Sequence, residues 1–128
     1  MEFKNTSRIN KELKFLNRIE GVIGSALVEY NGILIASNLP RDYNERDMLA
    51  MSATMFGATE NAVANIGESK IFRMIVDLED ESWLVINAQK YLFLVMIKST
   101  ANMGLILIEV EEIIKKLESL KKGNKDVN

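Results

Sequence analysis

The apolar residues between Met48 and Ile66 cover more of a helix surface than packing against one sheet requires. This segment of 19 residues carries a single charged side chain, that of Glu60. When it is wound at about 100° per residue, its apolar residues form two neighbouring stripes. The first stripe contains Leu49, Ala53, Phe56 and Val63, and the second contains Met48, Met51, Met55, Ala58 and Ala62. A helix on a single sheet needs only one apolar stripe, so the second stripe predicts contact with a partner chain.

Helix-ending signals set the bounds of the first two helices. Apolar residues at helical spacing predict a first helix from about Ser7 to Glu20, which Gly21 ends. For the second helix, Asn44 is the expected N-cap, because its side chain accepts a backbone hydrogen bond and acidic residues follow in the first turn. Gly67 ends this helix.

The last helix is predicted to start after an N-cap at Asn102 and to carry an apolar stripe from Met103 to Leu120. The segment Leu105 to Ile108 could instead extend a strand, and both interpretations stay open. Residues Lys121 to Asn128 are polar, and we expect this tail to fray. The chain length fits one domain over residues 1–128, with a core at about 7–120.

Five segments have the alternation or the apolar composition of strands. They are Val22–Tyr30, Ile33–Ser37, Lys70–Leu78, Trp83–Ala88 and Tyr91–Lys98. Asn31-Gly32 joins the first two, Glu79–Ser82 the third and fourth, and Gln89-Lys90 the last two. Such short connections predict antiparallel neighbours.

Two of the predicted strands are apolar on both faces. Tyr91 to Ile97 is continuously apolar, and Val22 to Val28 is nearly so. Strands of this kind are central and covered on both faces, so helices must lie on both sides of the sheet. The order helix, two strands, helix, three strands, helix therefore predicts an α/β (α+β) fold, with a five-stranded antiparallel sheet in a three-layer α/β/α arrangement.

The composition argues against most enzyme classes. The chain has no histidine and no cysteine, so the usual general base, thiol nucleophile and zinc ligands are missing. Its net charge of −2 provides no general basic field for nucleic acid. The start of the chain lacks the apolar region of a signal peptide, and no apolar run is long enough to insert directly into a membrane. The absence of cysteine is consistent with a cytoplasmic protein.

The acidic cluster Asp77, Glu79, Asp80 and Glu81 is the strongest candidate for a cation site. It lacks the ligand spacing of a calcium loop, so a solvated hairpin turn is the preferred interpretation. We therefore predict no catalytic residues, no metal site and no cofactor.

The chain resembles the Roadblock domain family, which includes the dynein light chain Roadblock and bacterial regulators of Ras-like GTPases. The resemblance lies in Leu16-Asn-Arg-Ile-Glu-Gly-Val-Ile-Gly-Ser-Ala-Leu-Val28, Asn31-Gly32, Ile35-Ala-Ser37, the alanine-rich second helix and Met103-Gly104. It covers about residues 7–120. The sequence departs from the family pattern at Asn31, where aspartate is commoner, and at Leu105–Ile108, which is unusually apolar.

The resemblance implies a profilin-like fold and a dimer in which the second helix and the third strand meet their counterparts. The alternation of the third strand places Phe72, Met74, Val76 and Leu78 on one face, and Ile71, Arg73, Ile75 and Asp77 on the other. An unpaired edge strand with this apolar face would invite aggregation, which pairing between copies prevents. The predicted dimer interface consists of Met48, Met51, Met55, Ala58, Ala62, Phe72, Met74 and Val76.

The resemblance implies no catalytic residues and leaves three functional hypotheses. The first is a non-enzymatic homodimeric adaptor that binds and regulates a small Ras-like GTPase, without supplying an arginine finger. The second is a scaffold subunit of a larger motor or membrane-tethered complex. The third is a small-ligand sensor domain, because related three-layer folds hold ligands between sheet and helix.

Overall fold

The computed structural model describes residues 6–67, 70–89 and 91–127, and side chains between residues 7 and 119 within those ranges. Its elements are α1 (Thr6–Asn17), β1 (Val22–Glu29), β2 (Leu34–Asn38), α2 (Glu45–Asn65), β3 (Arg73–Asp77), β4 (Glu81–Ala88), β5 (Tyr91–Lys98) and α3 (Met103–Val127). This is the order predicted from the sequence, and the fold class is confirmed.

The five strands form one antiparallel sheet in the order β2-β1-β5-β4-β3. The strand at its centre is β5, which is buried from Tyr91 to Ile97. Its neighbour β1 is buried from Gly24 to Val28. The two segments that are apolar on both faces are therefore central, as predicted, because only there are both faces covered.

Helices lie on both sides of the sheet, in unequal numbers. On one side, α1 and α3 share a core with the sheet that includes Leu13, Phe93 and Val110. An ion pair of 3.9 Å joins Glu12 of α1 to Lys116 of α3. On the other side, α2 is the only helix of the described part of the chain that packs on the sheet. Its core contains Ala26, Val28, Leu49, Ala53, Phe56, Val85, Leu92 and Leu94.

The first helix ends at Asn17, three residues before the predicted end at Glu20. The Asn17 side chain holds this point, because its Nδ2 donates to the Asn38 carbonyl at 2.9 Å and its Oδ1 accepts from the Ser25 hydroxyl at 3.0 Å. The chain then turns into β1 through Gly21, whose φ is +97°.

The bounds of β3 and β4 differ most from those predicted, whereas β1 ends one residue earlier and β2 lies one residue later than predicted. β3 spans only the middle of the predicted Lys70–Leu78 segment, and β4 starts at Glu81 instead of Trp83. The reason for the earlier start of β4 is a tight hairpin, in which the Leu78 N–H donates to the Glu81 carbonyl at 2.7 Å. The turn between the two strands is therefore reduced to Glu79-Asp80.

The third helix resolves the two interpretations of Leu105–Ile108 in favour of a helix, which begins at Met103. Asn102 caps it as predicted, because its Oδ1 accepts from the Leu105 N–H at 3.1 Å. Helical backbone continues past the predicted end, to Val127. Lys90 in the last predicted turn, the Leu120 side chain, the side chains of the tail and Asn128 lie outside the described residues.

We predict that Gly21→Ala destabilises the fold more than Gly67→Ala. Both glycines have positive φ, which costs about 1–2 kcal/mol for another residue. At Gly21 an added Cβ would also overlap the Ala101 side chain, whereas it would meet nothing within 4 Å at Gly67. Overpacking of this kind costs about 1–3 kcal/mol more. Urea unfolding of the two variants measures the difference, and equal losses would contradict the close contact between Gly21 and Ala101.

Candidate protein–protein interface

The second helix covers the sheet mainly with its first half. Its buried residues are Leu49, Ser52, Ala53 and Phe56, whereas Val63 farther along is half-buried. Its Asn44 N-cap is confirmed, since the side chain accepts from the Asp47 N–H at 3.2 Å. The first apolar stripe of the sequence analysis is therefore the stripe that packs on the sheet.

The second stripe of α2 lies beside the buried one and is covered incompletely within a single chain. Met51 is 59% exposed, and Ala58 and Ala62 are also exposed. Met48 and Met55 are half-buried.

The β1–β2 turn packs against a different flank of α2. A Cβ placed on Gly32 in this turn would lie 3.3 Å from Ala50 Cα. Helical geometry directs Met48 and Met55 away from Ala50 and hence away from that turn.

The predicted residues of the third strand lie on the α2 side of the sheet, at its edge. Among the described residues, the one strand that neighbours β3 is β4. Phe72, just before the strand, is 76% exposed, while Met74 and Val76 are half-buried. Met74 packs against the same core as α2. The eight predicted interface residues therefore flank one core on one side of the sheet, and their role in a dimer remains a prediction.

The two edges of the sheet differ in how well they could pair with another strand. At one edge, β2 contains a bulge, because Leu27 pairs with Ala36 and Val28 with Leu34, so that Ile35 has no partner. Pro40 follows shortly after this strand. Bulges and prolines protect edge strands from pairing. At the other edge, β3 keeps an uninterrupted register with β4, so it is the edge better suited to an added strand.

The hydrogen bonds of β3 show which of its backbone groups are available at that edge. The Phe72 carbonyl accepts from the Asn87 N–H at 2.9 Å, and the Leu78 N–H donates to Glu81. In an antiparallel ladder, alternate residues direct their backbone groups to the same neighbour. Even-numbered residues of this segment therefore bond to β4, and Arg73, Ile75 and Asp77 direct N–H and C=O groups away from the sheet. The sequence alone does not reveal which residues of the strand direct their backbone groups outward, because this depends on the register with β4.

Asn87 holds the segment that leads into β3. Its Nδ2 donates to the Ile71 carbonyl at 3.0 Å, and its Oδ1 accepts from the Tyr30 hydroxyl at 2.6 Å. The Tyr30 ring packs at 5.9 Å from that of Phe56 on α2. Burial raises the pKa of Tyr30, with a smaller contribution from Glu60, so the hydroxyl keeps its proton. This network fixes the backbone beside Phe72.

A second hydrogen-bond network, centred on Glu81, lies on the α2 side of the sheet at the start of β4. Glu81 accepts from the Tyr43 hydroxyl at 2.9 Å and from Trp83 Nε1 at 2.7 Å. The contacts tie the loop before α2 to the first residues of β4. Trp83 packs at the margin of the α2-side core, and the network fixes its ring there. Asn87 carried no signal in the sequence, because its partners Tyr30 and Ile71 are distant along the chain. Glu81 was noted only as a member of the acidic cluster, and its contact with the distant Tyr43 had no signal in the sequence.

The described residues include candidates for two kinds of chemical site, a metal site and an activated serine. No group of three or more acidic side chains within them is placed to share a metal ion. The Ser52 hydroxyl is buried and has no hydrogen-bond partner in the described part of the chain, so no base activates it. None of the helices in that part has the length and apolarity needed to cross a membrane. The exposed apolar residues of α2 and the edge strand β3 are features that suit protein binding.

Known structures share this architecture. Myxococcus xanthus MglB superimposes with a TM-score of 0.88 at 17% identity, covering 96% of this chain and 94% of that one. The MglB gliding protein of Thermus thermophilus gives a TM-score of 0.84 at 16% identity, with 96% and 95% covered.

Sequence comparison identifies closer relatives and the family. The uncharacterized protein MJ0714 of Methanocaldococcus jannaschii is 32% identical over 114 residues, which are 89% of this chain and 97% of that protein. A sequence model of the Roadblock/LC7 domain matches residues 8–98. This match runs from the first turn of α1 to the end of β5, and the chain belongs to the Roadblock/LC7 domain family.

Proposed function

We propose that the chain is a homodimeric adaptor of the cytoplasm that binds and regulates a small Ras-like GTPase. The observation that carries the dimer is that two incompletely covered surfaces lie on the same side of the sheet, the second stripe of α2 and the face of the edge strand β3 that bears Met74. Both flank the same core, and both are apolar. An exposed apolar patch of this kind marks an interaction site.

A single symmetry operation covers both surfaces. A two-fold axis perpendicular to the sheet places two β3 strands antiparallel and keeps both α2 helices on the same side of the joined sheet. The methionine stripes then meet across the axis. Fully burying a side chain such as Met51 or Phe72 contributes about 1.5–3 kcal/mol, so a few such residues suffice for a stable interface.

Regulation of a GTPase is the function supported by family membership together with the chemistry of the chain. Roadblock/LC7 proteins form a regulatory adaptor family, and the solved neighbours of this fold include MglB. Without histidine or cysteine, the chain lacks the usual acid–base and nucleophilic groups. It would therefore act by selecting a conformation of the GTPase, and not by chemistry of its own.

A scaffold subunit is the second candidate, and a specific observation favours it. Leu105 is 45% exposed and Ile108 is 59% exposed on the outer surface of α3. The proposed dimer leaves this surface free, since it lies across the sheet from α2. One solved MglB structure is described as a tetrameric arrangement, which makes larger assemblies relevant to the fold. Stable co-purification with other chains of the family would favour this candidate.

We predict that Met55→Glu converts the dimer to a monomer. The substitution would place a charge at the centre of an apolar interface, where desolvating an unpaired carboxylate costs several kcal/mol. Ala64→Glu is the matched control, because Ala64 is also exposed on α2 but lies on the opposite flank. Sedimentation velocity should detect monomer for Met55→Glu and dimer for Ala64→Glu. A fully dimeric, equally stable Met55→Glu variant would refute the proposed interface.

We predict that the immobilised wild-type protein captures a Ras-like GTPase from native extract, and that one nucleotide state is favoured. Parallel captures with GDP and with a non-hydrolysable GTP analogue test this, because a regulator must bind the two states unequally. Quantitative mass spectrometry of the bound fractions provides the readout. Capture of stable partners with no GTPase among them, in either state, would reject the first candidate in favour of the scaffold.

A further inference from the structure

We propose that β3 pairs with β3 of a second copy in a register centred on Ile75, and that Arg73 and Asp77 make this strand selective for its own copy. The inference rests on the proposed homodimer. It adds the register of the joined strands and identifies the residues that determine which chains can pair.

Symmetry restricts the registers that are possible. A two-fold axis perpendicular to the sheet lies between the two strands and must be level with a residue, midway between its two copies, because opposite residues in a sheet direct their side chains to the same face. If it were level with the midpoint of two consecutive residues, an upward side chain would oppose a downward one. The strand Arg73–Asp77 therefore has few possible registers. Those centred at Met74, Ile75 and Val76 keep most of the two strands opposite each other.

The outward backbone groups favour the centre at Ile75. Arg73, Ile75 and Asp77 direct their N–H and C=O groups away from β4, as the bonds of Phe72 and Leu78 require. With the axis at Ile75, this residue bonds its own copy, and Arg73 bonds Asp77 of the second copy in both directions. Every outward group of the strand is then satisfied. With the centre at Met74, the outward backbone groups of Asp77 have no partner within the five-residue strand. With the centre at Val76, the same holds for the outward groups of Arg73.

The charged side chains favour the same register. Arg73 and Asp77 lie with Ile75 on the α1/α3 side of the sheet, because their partners in β4 are Ile86, Ser82 and Leu84. With Ile75 on the axis, each arginine opposes an aspartate of the other copy. Opposite charges directly across an antiparallel pair stabilise it, and like charges destabilise it. With the axis at Met74, Arg73 would instead oppose Ile75.

Both charges are available for such a contact. Within the described residues, no ion pair is formed by Arg73, and its cross-strand neighbour Ile86 is apolar. The Ser82 hydroxyl donates to Asp77 Oδ1. That contact orients the carboxylate and leaves Oδ2 without a hydrogen-bond partner in the described part of the chain. The pair is thus partly ordered before the two copies meet, which lowers the entropic cost of forming it.

The apolar face of the strand is compatible with this register as well. On the α2 side, an axis at Ile75 sets Met74 opposite Val76 and Phe72 opposite Leu78. Each of these pairs is apolar, and Phe72 and Leu78 are exposed in the single chain. The backbone, the charged face and the apolar face therefore all agree on one centre.

Two variants with exchanged charges test whether Arg73 and Asp77 determine which chains pair. Arg73→Asp alone and Asp77→Arg alone each create two like-charge contacts in the homodimer, and the dimer dissociation constant should rise at least about tenfold. An equimolar mixture of the two should form a heterodimer, in which every contact is complementary. The double variant Arg73→Asp/Asp77→Arg should recover the homodimer. Native mass spectrometry of the mixture, with one variant isotopically labelled, measures the proportions.

Matched exchanges away from the strand serve as the control. Arg18→Asp and Asp42→Arg change the same charges at exposed positions outside β3. Their mixture should give a statistical distribution of dimers. The preference of the β3 pair should weaken in about 1 M salt, where the Debye length falls to about 3 Å.

Cysteine cross-linking tests the register without altering the charges at Arg73 and Asp77. The natural chain has no cysteine, so each single substitution reports one position. Ile75→Cys should form an intermolecular disulfide under mild oxidation, because hydrogen-bonded opposite residues have Cα atoms about 5.5 Å apart. Met74→Cys and Val76→Cys report the two neighbouring registers and should not cross-link. Circular dichroism confirms that each variant is folded.

The outcomes separate this inference from the proposed dimer. If wild type is a monomer at all concentrations, the homodimer is wrong and the register with it. If wild type is a dimer but the mixture shows no preference, the charge selection is wrong while the dimer stands. Cross-linking through Met74→Cys or Val76→Cys, and not through Ile75→Cys, would overturn the centre. Cross-linking at Ile75→Cys with heterodimer preference supports the whole proposal.

Discussion

The unequal coverage of the two faces of the sheet is the constraint on which the rest of this structure depends. The central strand β5 is buried from Tyr91 to Ile97, so both of its faces require helices. Within the described ranges, two helices cover one face and α2 alone covers the other. The buried residues of α2 pack chiefly on β1 and β5, which leaves Met74 and Val76 at the β3 edge half-exposed on that face. A surface suited to protein contact thus follows from the number of helices available to cover the sheet.

Most of the fold was predictable because the determining signals are local. Alternation along each strand, the Asn44 and Asn102 caps and the glycine after α2 act within a few residues, and the structure contains the elements they predict. The strand order and the shared face of α1 and α3 were not predictable, since they depend on contacts between distant segments. The early end of α1 has the same origin, because Asn17 is held by Ser25 and Asn38.

From the hydrophobic pattern alone, the candidate interface was predictable only as apolar surface, and the role of the third strand followed from the family resemblance. An excess stripe on α2 is visible in sequence because periodicity reports how much of a helix is apolar. Neither the open edge nor its hydrogen-bonding capacity has such a signal. Both depend on which strand neighbours which, and on the residue at which β3 and β4 begin to pair. The role of Asn87 was likewise not predictable, because it depends on hydrogen bonds to Tyr30 and Ile71, which are distant in sequence.

One local turn connects the fold of the chain to its capacity for assembly. The Glu79-Asp80 turn pairs Leu78 with Glu81, and this pair determines that odd-numbered residues of β3 direct their backbone groups outward. Those are also the residues whose side chains lie on the α1/α3 face, so the turn places the charges of Arg73 and Asp77 beside outward hydrogen-bonding groups. A one-residue change in this turn would exchange the two sets of residues, because strand geometry repeats every second residue. The apolar residues Met74 and Val76 would then lose the α2-side core. Core packing and edge chemistry are therefore set by the same register, and selection for one maintains the other.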